Sequence, residues 1–144
     1  MQCETLSILK FIDNYVHTLY TYCSYGLWIM LKGELVRFGR FEWWSEKEKA
    51  NINSHKDANK NGISFRDILP VFDDPYFYEI YDIKHSDDGQ DRYNGFGYVE
   101  KSGLSIVQVV YTEIGRIHII SARPATARER KMYYDRLRRI YCQM

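Results

Sequence analysis

The chain is poor in cysteine, proline and net charge, and each shortage excludes something. Cys3, Cys23 and Cys142 are the only cysteines in 144 residues and show no CxxC or CxH spacing. Neither a zinc site nor a disulfide framework is therefore expected, and a reducing cytoplasm is the expected compartment. There is no glycine-rich phosphate loop, paired-histidine metal motif or nucleophile elbow, so the sequence offers no sign of P-loop, zinc-hydrolase or α/β-hydrolase chemistry. The formal net charge of +1 argues against a uniformly basic protein. No basic n-region with a small-residue cleavage site is visible, and secretion is not expected. The stretch Val16 to Leu31 (VHTLYTYCSYGLWIML) carries no formal charge, yet it falls short of the roughly 18 apolar residues of a spanning helix and contains Thr, Ser, Cys, Gly and His. It reads as an amphipathic or packing helix; membrane association, or a true start at Met30, are the alternatives.

What is present is a globule. Apolar residues make up 45% and aromatics 16% of the chain, including thirteen tyrosines, enough for one domain with a real core. Tyrosine packs its ring and keeps a hydroxyl for water or a partner, which suits wet surfaces and nucleic-acid faces. The near-neutral average hides a segregation. From Phe65 to Asp91 there are eight acids against two bases, a net −6; from Arg92 to Met144 there are ten Lys and Arg against four acids, a net +6. Such a chain can bind a polyanion on its basic side and a partner elsewhere, or its two surfaces can simply neutralise one another.

Residues 1–40 are set apart as an apolar, aromatic N-terminal extension, expected to be helical; residues 41–144 form the domain. Phe41 to Trp43 reads as a short strand. Ser45-x-x-Glu48 is a capping-box pattern opening a polar helix through about Asn59, with Gly62 as its C-cap. Ser64-x-x-Asp67 opens a short helix carrying Phe65, Ile68, Leu69 and Phe72, which Pro70 should kink or cut short. Tyr76 to Ile83 can be a strand, Asp88-Gly89 a turn. Arg92 to Val99 follows, with Gly95 and Gly97 marking a bulge or close approach. Leu104 to Thr112 and the strand after the turn Glu113-Ile114-Gly115 complete a four-stranded antiparallel meander. Pro124 stops the last strand, and Thr126-x-x-Glu129 caps a final helix. The expected class is α+β, with two helices ahead of the sheet and one closing it.

The junction from Arg116 to Tyr134 (RIHIISARPATARERKMYY) concentrates Arg123, Arg128, Glu129, Arg130, Lys131, Tyr133 and Tyr134. Guanidinium clusters of this kind fit phosphate oxygens, although basic residues late in a helix also complement its dipole. Tyr93, Phe96 and Tyr98 can stack bases or serve as core.

The segments FEWW-SEKEKANIN, KNGISF with VFDDP, DRYNGFGY, VVYTE, RIHIISAR and AT-x-RERKMYY, from Phe41 to about Tyr134, resemble in content and order the BrnT family of bacterial toxins. The resemblance implies a RelE-like ribonuclease fold and a cognate ribbon-helix-helix antitoxin that neutralises the toxin and represses the shared operon, so that operator DNA is met only through the antitoxin. No cofactor is expected, and no membrane partner. The family usually has Lys-His-Gly-(Val/Ile)-Ser-Phe after the first helix. Lys60 to Phe65 match this with Asn61 in the histidine position, unless His55 takes that role. Arg92, Glu113, Arg116, Arg123, Glu129 and Tyr133 match; Pro124 stands where a second basic residue is common, and His118 where arginine is frequent.

A metal-free ribonuclease must deprotonate the ribose 2′-hydroxyl, stabilise a phosphorane and protonate the leaving 5′-oxygen. Arg123 and Arg92 are the candidate phosphate clamps. Lys60, Glu129 and Tyr133 are the candidates for proton transfer, and Arg116, His118, Arg128 and Arg130 the candidate RNA contacts. Structural readings stand beside these: Glu129 as a cap, Tyr133 as core, Arg92 as a cross-strand partner, His118 as a packed histidine. A runner-up function is a catalytically weak or inactive relative that acts only as the protein-binding half of an antitoxin complex. A third makes the apolar N-terminus an anchor or oligomerisation helix.

Overall fold

The computed structural model describes residues 32–86 and 90–144. The uncharged stretch Val16 to Leu31 and the Asp88-Gly89 turn lie outside the described residues. The compact unit carrying the sheet runs from Leu35 to Met144.

Strands β1 (Leu35–Phe38) and β2 (Phe41–Trp44) form a hairpin with Phe38 opposite Phe41. Its two-residue turn begins at Gly39, whose φ of +57° lies where glycine is favoured. Helix α1 (Ser45–Ser54) follows, then α2 (Phe65–Ile68) running into a 3-10 turn (Leu69–Asp73). Next come β3 (Tyr78–Tyr81), β4 (Arg92–Tyr98), β5 (Ile106–Ile114), β6 (Arg116–Pro124) and α3 (Ala127–Cys142). The sheet order is β1-β2-β6-β5-β4-β3. The class is α+β as expected, but the four-stranded antiparallel meander is corrected to a six-stranded mixed sheet. The meander β3 to β6 exists, and β2 joins it in parallel beside β6, pairing Phe41 with Ile117 and Glu42 with His118. Within the Leu35–Met144 unit the β1–β2 hairpin comes ahead of the helices, and the sheet begins inside the stretch read as an extension.

Strand alternation sorts the two faces of the sheet. One face carries Phe41, Trp43, Val107, Val109, Tyr111, Ile117, Ile119 and Ala122, and these pack with Ile63, Phe65, Ile68, Leu69 and Val71 of the helical segment into the main core. The other face carries a smaller cluster in which Ile106 and Ala125 meet Tyr133 of α3.

Two of the three expected caps form. The Ser64 hydroxyl accepts from Asp67 N at 3.2 Å, and Thr126 and Glu129 make a complete capping box. Pro70 falls in the 3-10 turn that replaces further α-helix, as its missing donor requires. Helix α1 differs: Trp44 holds the cap position, and the Glu48 carboxylate instead accepts from Trp43 Nε1 and Phe65 N, both at 2.9 Å. It also ends at Ser54 rather than near Asn59. The Asp57 carboxylate accepts from the amides of Asn59 (2.9 Å) and Asn61 (2.8 Å), a local alternative that competes with helical bonding. Gly62 is no C-cap. It lies so close to α1 that a Cβ there would stand 2.5 Å from the Ile52 carbonyl oxygen.

Candidate active site

Strand register builds the site. Glu42, His118, Thr112 and Arg92 are successive partners across β2, β6, β5 and β4, so their side chains project from one face. Arg123, Gln108, Phe96 and Tyr78 form a second row on that same face, across β6, β5, β4 and β3. The Gln108 amide donates to Asn94 Oδ1 at 3.0 Å, filling the space between the rows. Along β5 and β4 the rows stand four residues apart, about 13 Å at about 3.3 Å per residue; a bulge adds a fifth residue between them on β6. Helix α3 covers the β3–β4 end of the second row, where Tyr133 stacks on Tyr78 with centroids 6.4 Å apart.

Arg123 is held rigidly. Its Nη1 and Nη2 donate to the two Glu129 oxygens at 2.9 Å each, and Nη1 also donates to the Pro124 carbonyl at 3.1 Å. A guanidinium has five donors, so two remain for an incoming anion. Glu129 is fixed in turn by the Thr126 amide at 2.7 Å. The Arg123 guanidinium beside it and that amide hold the carboxyl at about 2, well below its ordinary 4.5. It is thus ionised throughout the neutral range and serves to aim Arg123.

The sign of that shift gives a stability prediction. The folded state binds the Glu129 proton more weakly than the unfolded chain, so the ion pair contributes in full above about pH 5 and is lost as pH falls toward 2. With the side chain 20% exposed, the contribution is about 2 kcal/mol. Between pH 7 and pH 3, Glu129→Gln should therefore lose less thermal stability than wild type, as read by circular dichroism.

Tyr133 is 2% exposed and donates its hydroxyl to Asp74 Oδ2 at 2.6 Å. Burial and the Asp74 charge push its ionisation up, so it stays a protonated donor. Asp74 also accepts from Tyr98 N (2.7 Å) and Tyr76 N (2.9 Å), so the pair ties α3 to the β3–β4 end of the sheet. Arg92 is half-buried, and its Nε and the Tyr78 hydroxyl are the buried side-chain polar atoms left without a partner among the described residues. An oxyanion would satisfy such a donor.

The other predicted site residues scatter. Lys60 sits in the loop after α1 with φ +66°. That loop docks on the β4–β5 turn, through Ala58 N to Gly103 O and Asn59 Nδ2 to Ser102 Oγ, and no described contact joins it to Arg123 or Arg92. Arg116 lies at the far hairpin and donates to the Gly39 carbonyl. His118 stands in the first row, its Nδ1 3.4 Å from Glu42 Oε1. Arg128 is exposed on the first turn of α3, and Arg130 donates to the Ala125 carbonyl at 2.7 Å. Arg136 lies over the Tyr78 ring at 5.3 Å. Of the candidate stacking residues, Tyr93 faces the main core, Phe96 is buried beside Tyr78 and Tyr98 is exposed.

Sequence reasoning missed Glu42, Asn94, Gln108 and Asp74. A signal existed for Glu42: FEWW alternates, so burying Phe41 and Trp43 turns Glu42 and Trp44 to the other face. The parallel pairing that sets Glu42 beside His118 left no local trace.

Fold and site together define a small α+β protein with Arg92 and Arg123 on one hydrogen-bonded face of its sheet. A family model described as "Ribonuclease toxin, BrnT, of type II toxin-antitoxin system" matches residues 43–129, more than half of the chain. The chain belongs to that family. No curated protein matches it. Among the described residues, no helix is long and apolar enough to cross a membrane.

Proposed function

We propose that the protein is a toxin that cleaves RNA without a metal and so inhibits translation in the cytoplasm, on a RelE-like scaffold. A cognate ribbon-helix-helix antitoxin neutralises it, and operator DNA is met only through that antitoxin. The observation carrying this reading is Arg123, bidentate to Glu129 with two donors to spare, on the same sheet face as the partly unsatisfied Arg92. Preorganised guanidinium groups on a half-buried face stabilise phosphorane charge without having to reorient during the reaction. The six Lys and Arg of α3 against its two acids extend that field along the helix and attract a polyanion. Among the described residues no group of three His, Cys, Asp or Glu is placed to hold a metal ion.

The test is induced expression of the full chain in a bacterial host with total RNA followed over time. Growth arrest accompanied by RNA fragmentation is the expected outcome. Continued growth and intact RNA, with the protein soluble and folded, would leave the antitoxin-binding role as the better account.

A further inference from the structure

We propose that His118 is the catalytic base of RNA cleavage and that Glu42 is its positioning residue; the assignment rests on the ribonuclease reading above. The His118 Nδ1 lies 3.4 Å from Glu42 Oε1. A carboxylate only accepts, so Nδ1 carries the hydrogen and the lone pair is left on Nε2. The other Glu42 oxygen lies 3.4 Å from Arg37 Nε of β1, which fixes the carboxylate from behind. Trp44, on the same face of β2, flanks the imidazole edge-on with centroids 6.4 Å apart. The His118 side chain keeps 23% of its surface exposed, and among the described residues only Glu42 bonds the ring.

The rest of the row supplies the electrophile's site. Thr112 follows His118 on β5, and Arg92 follows Thr112 on β4. Two strand spacings put the His118 and Arg92 backbones about 10 Å apart, a gap that an imidazole and a guanidinium reaching from the same face close around one phosphate. The buried, unpartnered Arg92 Nε is the donor such a phosphate would satisfy. Glu129 and Tyr133 are each committed to a partner, whereas the Nε2 of His118 has none among the described residues.

In the reaction, Nε2 takes the proton of the ribose 2′-hydroxyl as the 2′-oxygen bonds to phosphorus. The bond from phosphorus to the 5′-oxygen breaks, and that oxygen leaves with a proton drawn from water. The products are a 2′,3′-cyclic phosphate and a 5′-hydroxyl, and the hydroxide formed from water restores the neutral imidazole. The charged groups that face His118 are Glu42 from β2, with Arg37 behind it on β1, Arg92 across β5, and Arg116 two residues back on β6.

The experiment is steady-state cleavage of a labelled single-stranded RNA by the full chain. His118→Ala should lower kcat about 10²–10³-fold with little change in KM, and added imidazole should restore part of the loss. Glu42→Gln should lower kcat about tenfold and displace the acid limb of the pH–rate profile, with an unchanged thermal transition. His118→Gln, which keeps the ring's volume and a donor toward Glu42, should be as inactive as the alanine variant and guards against a folding defect. Cleaving wild type beside a fully active His118→Ala overturns this assignment alone. So does a loss that imidazole does not rescue together with an unchanged pH profile in Glu42→Gln, which would make His118 structural. Wild type that leaves RNA intact removes the ribonuclease reading and this assignment together.

Discussion

Arg123→Ala is expected to lower the rate of RNA cleavage by about 10²–10³-fold, the loss typical of one preorganised donor to a developing oxyanion. The fold should tolerate the change. Glu129 keeps its bond to the Thr126 amide, so the helix cap survives, and the loss of a half-buried pair lowers stability by about 1–2 kcal/mol. Arg123→Lys should recover only part of the rate. An ammonium supplies the charge but not the paired donors that engage Glu129 on one edge and phosphate on the other. Cleavage kinetics beside a thermal melt separate the two effects. A folded Arg123→Ala protein cleaving at the wild-type rate would remove Arg123 from the site.

The largest loss of stability is expected from Asn51→Ala. Asn51 is 4% exposed. Its Nδ2 donates to the Ile63 carbonyl at 2.9 Å, and its Oδ1 accepts from Ala122 N at 3.0 Å and Ser121 Oγ at 3.3 Å. One side chain thus joins α1, the segment leading into α2, and β6 just ahead of Arg123. Alanine leaves a carbonyl and an amide buried without partners, at about 1–3 kcal/mol each. The expected loss of about 3–4 kcal/mol is a large share of a typical domain's stability and should lower Tm by about 10 °C or more. A shift of less than about 2 °C, corresponding to well under 1 kcal/mol, would show that water replaces the amide. Because Ala122 N is anchored here, the same variant should also lower cleavage through misplaced Arg123.

How much of this was legible in sequence depended on distance along the chain. The junction from Arg116 to Tyr134 could be read almost completely, because its signals are local. Thr126 and Glu129 sit at capping-box spacing, and Pro124 marks the strand's last residue. The Arg123–Glu129 pair spans six residues and follows from that turn once it forms. Ser64 and Pro70 were legible for the same reason. Helix α1 was read too long because the bonds of Asp57 to Asn59 and Asn61 leave no mark in hydrophobic periodicity. The β1 strand was hidden by the uncharged stretch before it, although Gly39 supplied a turn signal. What could not be read at all was the parallel contact of β2 with β6. It joins residues more than seventy positions apart, and with it comes the meeting of Glu42 with His118.

Metal-free cleavage of RNA is tested by incubating the purified chain with single-stranded RNA in excess chelator and analysing the fragment ends. Undiminished cleavage that leaves 2′,3′-cyclic phosphate and 5′-hydroxyl termini, with no gain on adding magnesium, is the expected result. Intact RNA in chelator with cleavage restored by magnesium, or fragments bearing 5′-phosphates, would contradict it.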